Sequence, residues 1–284
     1  MFTYTIITPV KNEVETLVKT IDSVTSQSIL PTEWIVVNDA SSDGSRNLLE
    51  ELANRFSWVK LVDAPTIAKK DYSSRVIDLF NFGYSKLSTS TDLICKMDAD
   101  VSFGKDFFKH ILEHFETNSK LAIASGHLHN NGVPESIDLD QVVCTRGATK
   151  MYRTSFLDEI GGLISYQGWD TLDNVAARAK GWQVMIVEEP FEHLKEEGVR
   201  VGKTIFRHIR NGYYNGSLPF YFPYFLIKII VKSLERPIFF SSVFMLWGYI
   251  KARINRVKSP YPEYVIRHLR KEQKSYLMKK FNMV

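Results

Sequence analysis

Cysteine is scarce in this chain. Cys95 and Cys144 are the only two among 284 residues, far apart and without Cys-x-x-Cys or His-rich spacing. That excludes a disulfide framework and fits a reducing compartment. A secretory leader is not expected, because Met-Phe-Thr-Tyr-Thr-Ile-Ile-Thr-Pro lacks a basic n-region and a long apolar stretch and enters a strand almost at once. No internal repeat or low-complexity segment is present. Neither sign of charge dominates: the net charge is +4, and no nucleic-acid partner is expected from composition. No Gly-x-Gly-x-x-Gly follows the first strand and no Gly-Lys-Ser/Thr loop occurs, so the phosphate loops of nicotinamide, flavin and Walker-type sites are missing. A nucleotide bound to this chain must have its phosphates neutralised in another way. What remains is ordinary globular composition, 44% hydrophobic and 24% charged, in a chain long for one simple α/β domain.

The first half alternates strand and helix. Strands are predicted at Tyr4–Thr8, Trp34–Val37, Val59–Val62 and Leu93–Met97. Asn12 with Glu15 three residues later reads as a capping box, followed by an apolar stripe of Val14, Leu17, Val18, Ile21 and Val24. Leu48, Leu49, Leu52 and Phe56 mark a second helix and residues 72–87 a third. Such alternation implies a mostly parallel sheet, whose ligands sit outside the carboxyl ends of the strands.

Three of those ends carry polar clusters: Thr8–Glu13, Asn38–Gly44 and Asp98-Ala-Asp100. Carboxylates at such a place are hard oxygen ligands suited to Mg²⁺ or Mn²⁺ carrying a diphosphate. Asp39, directly after its strand, is expected to contact a ligand, and Ser42 or Asp43 to cap the next helix. Further on, Gly168-Trp169-Asp170-Thr171 opens a helix that ends at Gly181, a natural C′ glycine.

The runs Ile-Ile-Thr-Pro-Val-Lys-Asn-Glu, Trp-Ile-Val-Val-Asn-Asp-Ala-Ser-Ser-Asp-Gly-Ser and Lys-Met-Asp-Ala-Asp-Val resemble, in order and spacing, the motifs of glycosyltransferase family 2. The resemblance spans residues 3–195. It implies an α/β GT-A fold, a Rossmann-like, mostly parallel sheet flanked by helices, and transfer of a sugar from a nucleotide sugar with inversion. Residue by residue, it implies that Thr8, Pro9 and Val10 line the base and ribose pocket, with Glu13 beside it. Asp39 would accept a hydrogen bond from uracil, and Arg75 would lie near the nucleotide. Asp98 would touch the ribose or the metal shell, while Asp100 and His193 would bind Mn²⁺ or Mg²⁺. Asp170 would be the base that takes the acceptor hydroxyl's proton, and Asp173 would orient or cap. Trp169 stands where the family usually has an acidic residue, and Arg146-Gly147 resembles an acceptor-side segment.

The chain turns aromatic and basic near residue 200. Residues 1–200 are expected to be the catalytic domain, with a nucleotide-sugar half up to about residue 100 and an acceptor half beyond it. Residues 201–284 are read as a helical segment. The longest uncharged run there, Pro237 to Ile250, is too short to cross a bilayer, and Lys251, Arg253, Arg256 and Lys258 follow it. An in-plane membrane anchor fits this pattern, with a lipid-linked or glycan acceptor and a place on the cytoplasmic face of the membrane. Packing on the catalytic domain or a dimer interface is the alternative. A sugar nucleotidyltransferase would want a Gly-rich N-terminal loop with Arg and Lys, which is absent. A non-catalytic nucleotide- or glycan-binding module need keep neither Asp100 nor Asp170.

Overall fold

The computed structural model describes residues 1–65, 72–135, 144–195, 201–218, 220–233 and 240–281. These fall into two compact units, the first ending with the described residues at Lys195 and the second beginning at Val201. In the first unit, β1 (Tyr4–Val10), β2 (Glu33–Asn38), β3 (Val59–Asp63) and β4 (Leu93–Met97) run parallel in the order β3-β2-β1-β4. The short strand β5 (Val101–Phe103) follows in the chain, then β6 (Leu121–Asn130), β7 (Val133–Pro134), β8 (Thr149–Arg153) and β9 (Gln183–His193). From β4 the sheet continues β8-β6-β9-β5, with β8 and β5 antiparallel to their neighbours and β6 parallel to β9. The mostly parallel α/β sheet expected from the sequence is therefore present.

Helices α1 (Val14–Thr25), α2 (Ser45–Arg55), α3 (Tyr72–Tyr84), α4 (Phe107–Thr117), α5 (Thr154–Ile160) and α6 (Trp169–Ala179) flank the sheet. Because successive side chains of a strand point to opposite faces, each central strand feeds two cores. Ile6, Trp34, Val36, Cys95 and Met97 join α1, α2 and α4 through Leu17, Leu49 and Phe108. Ile7, Ile35, Val37 and Ile94 join α3, α5 and α6 through Phe80, Phe156 and Ala177.

Two local readings change. Asn12 does not cap α1. It adopts a left-handed φ of 55°, and its Oδ1 accepts the Ser42 N–H at 2.8 Å. The first helical N–H, on Val14, donates instead to Asp43 Oδ2 at 3.0 Å, a contact between loops that outcompetes the local box. Val18 turns outward at 48% exposed, leaving Leu17 and Val24 to bury the stripe.

The second unit comprises α7 (Val201–Ser217), α8 (Phe222–Ser233), α9 (Phe240–Ile254) and α10 (Glu263–Lys280). Pro219 and residues 234–239 lie outside the described residues. Helix α9 crosses α7 at backbone distance: a Cβ on Gly248 would stand 2.0 Å from Ile209 O. Among the described residues no helix is long and apolar enough to cross a membrane.

Candidate active site

Strands β2, β1 and β4 are neighbours with Val10 opposite Asn38, so their carboxyl ends open side by side. The Asp39 N–H donates to Val10 O at 2.8 Å, which fixes Asp39 at the lip of β1. Lys11 Nζ reaches Asp39 Oδ2 at 3.0 Å, and Arg75 pairs with its other oxygen. Burial works to raise the Asp39 carboxyl, and hydrogen bonds and charge from Arg75 and Lys11 outweigh it, holding it below the usual carboxylate range. Arg75 Nη1 is buried and has no hydrogen-bond partner among the described residues, an unspent donor beside Asp39.

The Asp98-Ala-Asp100 turn lies between β4 and β5, as the strand-end reading requires. Asp98 N–H donates to Ala148 O at 2.8 Å, and its carboxylate pairs with Lys96, whose side chain is 2% exposed. Asp100 is placed by the β5–β9 ladder. Val101 pairs with His193, and the Leu194 N–H donates to Asp100 O at 2.7 Å. Asp100 Oδ1 and His193 Nδ1 then face each other at 3.7 Å, an ion-pair rather than a hydrogen-bond separation. Burial pushes Asp100 up, but His193 and Lys195 draw it below the usual range. Asp100 in turn raises His193 against the effect of burial. Asp98 and Lys96 are near enough to act on His193 as well. His193 is the last residue of the eleven-residue strand β9.

One carboxylate oxygen and one imidazole nitrogen form a donor pair that fits Mn²⁺ or Mg²⁺, with diphosphate and water completing the shell. Among the described residues no group of three or more His, Cys, Asp or Glu would hold a metal by itself. Glu13 is tied to the same flank: Lys195 Nζ meets its Oε2 at 2.5 Å and also donates to Asn12 O at 3.3 Å.

Asp170 stands exposed in the first turn of α6. Its backbone carbonyl accepts Lys150 Nζ at 2.6 Å and Asn174 Nδ2 at 2.6 Å. Lys150, with a fully buried side chain, also donates to both Asp173 oxygens at 3.0 Å, and Tyr152 OH donates to Asp173 Oδ2 at 2.5 Å. Asp173 thus orients the start of α6 from inside the core, where burial raises its carboxyl. Gly147 closes the gap between the end of β4 and the start of α6. Its carbonyl accepts Lys96 Nζ at 2.9 Å, and a Cβ there would meet the Trp169 ring at 3.0 Å and Asp170 Cβ at 3.5 Å.

Three expected positions sit differently. Thr8 is fully buried, and its hydroxyl accepts the Trp34 indole N–H at 2.9 Å, so it braces the sheet. Val10 is 1% exposed and belongs to the core, which leaves Pro9 as the half-buried member of that trio. Trp169 offers no open acceptor surface: it is 7% exposed, with Lys96 and Lys150 ammonium groups 5.2 and 5.3 Å from its ring centroid. Arg146 stays exposed and pairs with Glu135. Sequence reading missed Lys11, Lys96, Lys150 and Lys195. Lys96 had a signal, a charged residue inside the apolar run Leu-Ile-Cys-Lys-Met.

A mostly parallel α/β sheet with acidic strand ends, facing a helix-borne aspartate across one glycine, is the architecture of a GT-A glycosyltransferase. A solved mannosyltransferase, PcManGT from Pyrobaculum calidifontis in complex with GDP-Man and Mn²⁺, matches 99% of this chain and 87% of its own at 13% identity, TM-score 0.62. S. aureus TarS 1-349 in complex with UDP-GlcNAc matches 98% of this chain and 92% of its own at 16% identity, TM-score 0.60. At these identities the likeness is one of fold. The Glycosyl transferase family 2 model matches residues 5–167, more than half of the chain, and the chain belongs to that family. No curated protein sequence matches it.

Proposed function

We propose that this glycosyltransferase moves a sugar from a UDP-linked donor to a hydroxyl of a glycan or lipid-linked acceptor, with inversion, in polysaccharide or glycoconjugate synthesis. The observation that carries the reading is the pairing of Asp100 with His193 beside Asp98, with Asp170 on the far side of Gly147. Asp39 accepts from the uracil edge, and the unspent Nη1 of Arg75 donates to a base carbonyl. The solved relatives' donors, GDP-Man and UDP-GlcNAc, support the nucleotide-sugar class. Mn²⁺ or Mg²⁺ held by Asp100 and His193 would neutralise the charge of the departing diphosphate.

Asp170 does the proton work. As the acceptor oxygen bonds to the anomeric carbon, the bond to diphosphate breaks and its electron pair leaves with the diphosphate. The hydroxyl proton passes to the Asp170 carboxylate. Lys150 and Asn174 hold the Asp170 backbone, so its carboxylate enters the crevice from a fixed helix end. Residues 201–284 would associate with the cytoplasmic face of the membrane, near a lipid-linked acceptor.

Two substitutions test the assignment, after a thermal-shift panel of nucleotide sugars with Mn²⁺ has identified the donor. Asp100→Ala is expected to abolish Mn²⁺-dependent UDP binding in calorimetry, and unchanged binding would remove the metal role. Asp170→Asn is expected to keep donor binding while sugar transfer, read as UDP release, falls by about 100-fold or more. Near-normal release would reject it as the base.

A further inference from the structure

The second unit carries an apolar surface that its own packing leaves uncovered. On α8, Phe222, Leu226 and Ile230 recur every four residues and are 55%, 46% and 54% exposed. On α9, Val243, Trp247 and Ile254 are 61%, 59% and 73% exposed. The two helices meet antiparallel: the Phe225 ring stacks on Tyr249 at 4.2 Å, and Ser242 Oγ donates to Ile229 O at 2.9 Å. With about 3.6 residues per turn, the stripe lies roughly a quarter turn from that contact line on α8 and roughly a third of a turn from it on α9, on the same side, so the two make one face. The opposite side of α9 is spent against α7, where Gly248 and Met245 meet its backbone.

The rim of this face has one sign of charge. Lys251 and Arg253 flank the stripe near the end of α9, and exposed Arg256 and Lys258 follow. Between residues 201 and 262 the only acidic residue is Glu235, and residues 201–284 hold 16 Lys and Arg against 3 Asp and Glu. A second copy of this chain would bring the same cations against its own rim. A sheet of anionic phosphates over hydrocarbon complements both the charge and the stripe. With 15 residues, α9 reaches about 22 Å, short of the roughly 30 Å hydrocarbon core, so it can lie on a bilayer but not span it.

We propose that the α8–α9 face lies in the plane of an anionic bilayer surface, its apolar stripe among the acyl chains and Lys251, Arg253, Arg256 and Lys258 at the phosphates. This rests on the membrane-associating reading given above, and it specifies which surface makes contact and which headgroup charge it needs. The rim cations recruit the protein, and the stripe then holds it. Both are needed, since exposed charges alone are screened by salt.

Co-sedimentation of the full-length protein with phosphatidylcholine vesicles, with and without phosphatidylglycerol, tests this together with quenching by lipids brominated on the acyl chain. Binding is expected only with phosphatidylglycerol, accompanied by quenched tryptophan fluorescence. Trp247→Phe should abolish the quenching and keep the binding, which assigns the signal among the five tryptophans. Leu226→Ser combined with Ile254→Ser should lower vesicle partitioning by about tenfold or more, with an unchanged circular dichroism spectrum. Binding without quenching, or undiminished in the double variant, would overturn this face while leaving membrane association standing. Absence of binding at every composition would overturn membrane association itself. A dimer by light scattering, with Trp247 shielded from aqueous quencher, would assign the face to a second copy and overturn the proposal.

Discussion

At the scale of single residues, the site is organised by lysines that reach carboxylates from below. Lys96 and Lys150 sit on adjacent antiparallel strands in direct register, Lys96 opposite Lys150, and both send their ammonium groups toward the Trp169 ring. One then takes Asp98 and the other Asp173 and the Asp170 carbonyl. Trp169 in place of the family's acidic residue is intelligible in these terms, since an aromatic face between two buried cations provides attraction without a third carboxylate. Lys150→Met would leave the Asp173 carboxylate buried without its counter-charge. It is expected to lower unfolding free energy by about 3–5 kcal/mol, measured by urea titration. Thr8 shows why residue roles were only partly legible. The family resemblance implies a place for it along the base and ribose pocket, while strand parity turns its side chain toward Trp34, and that parity depends on the final register.

At the scale of elements, the four parallel strands were legible because each is a short apolar run, and β1, β2 and β4 are buried on both faces. Leu93–Met97 has the expected ends, and the other three strands extend one or two residues beyond theirs. Helix α6 was legible from Gly168 to Gly181, both of which adopt left-handed φ, 82° and 83°. The start of α1 was not, whereas Asp43 was expected at the start of α2. Asp43 accepts from Val14 N and from Ser45 N and Oγ, so one carboxylate serves α1 and α2 together. Despite a desolvation penalty, Ser45 and these backbone donors hold that carboxyl at about 2. A cap shared between two loops leaves no local spacing to read. The α7–α9 crossing is of the same kind, because glycines spaced in sequence do not say which backbone they admit. Gly248→Ala would drive a Cβ into Ile209 O, and it is expected to destabilise this helix pair by about 1–3 kcal/mol. Hydrogen exchange checks this: α7 and α9 amides should lose protection while those of β1, β2 and β4 keep theirs.

At the scale of the whole molecule, charge divides the chain. The first 200 residues carry 20 Lys and Arg against 29 Asp and Glu, the reverse of the balance beyond them, so the modest net +4 conceals two opposite units. The amino-acid sequence by itself determined the alternation of strand and helix, the order of the acidic strand ends and the family, because these depend on local periodicity and on spacing along one chain. Only the tertiary structure decided that β9 runs alongside β6 and carries His193 to Asp100. It also decided that Lys11 and Arg75 share Asp39, and that Gly147 lets Trp169 close against the end of β4. These pairings join residues 22 to 93 positions apart in the chain. Their partners are selected by sheet register and by which buried charges can be satisfied together, and neither leaves a periodic trace in sequence.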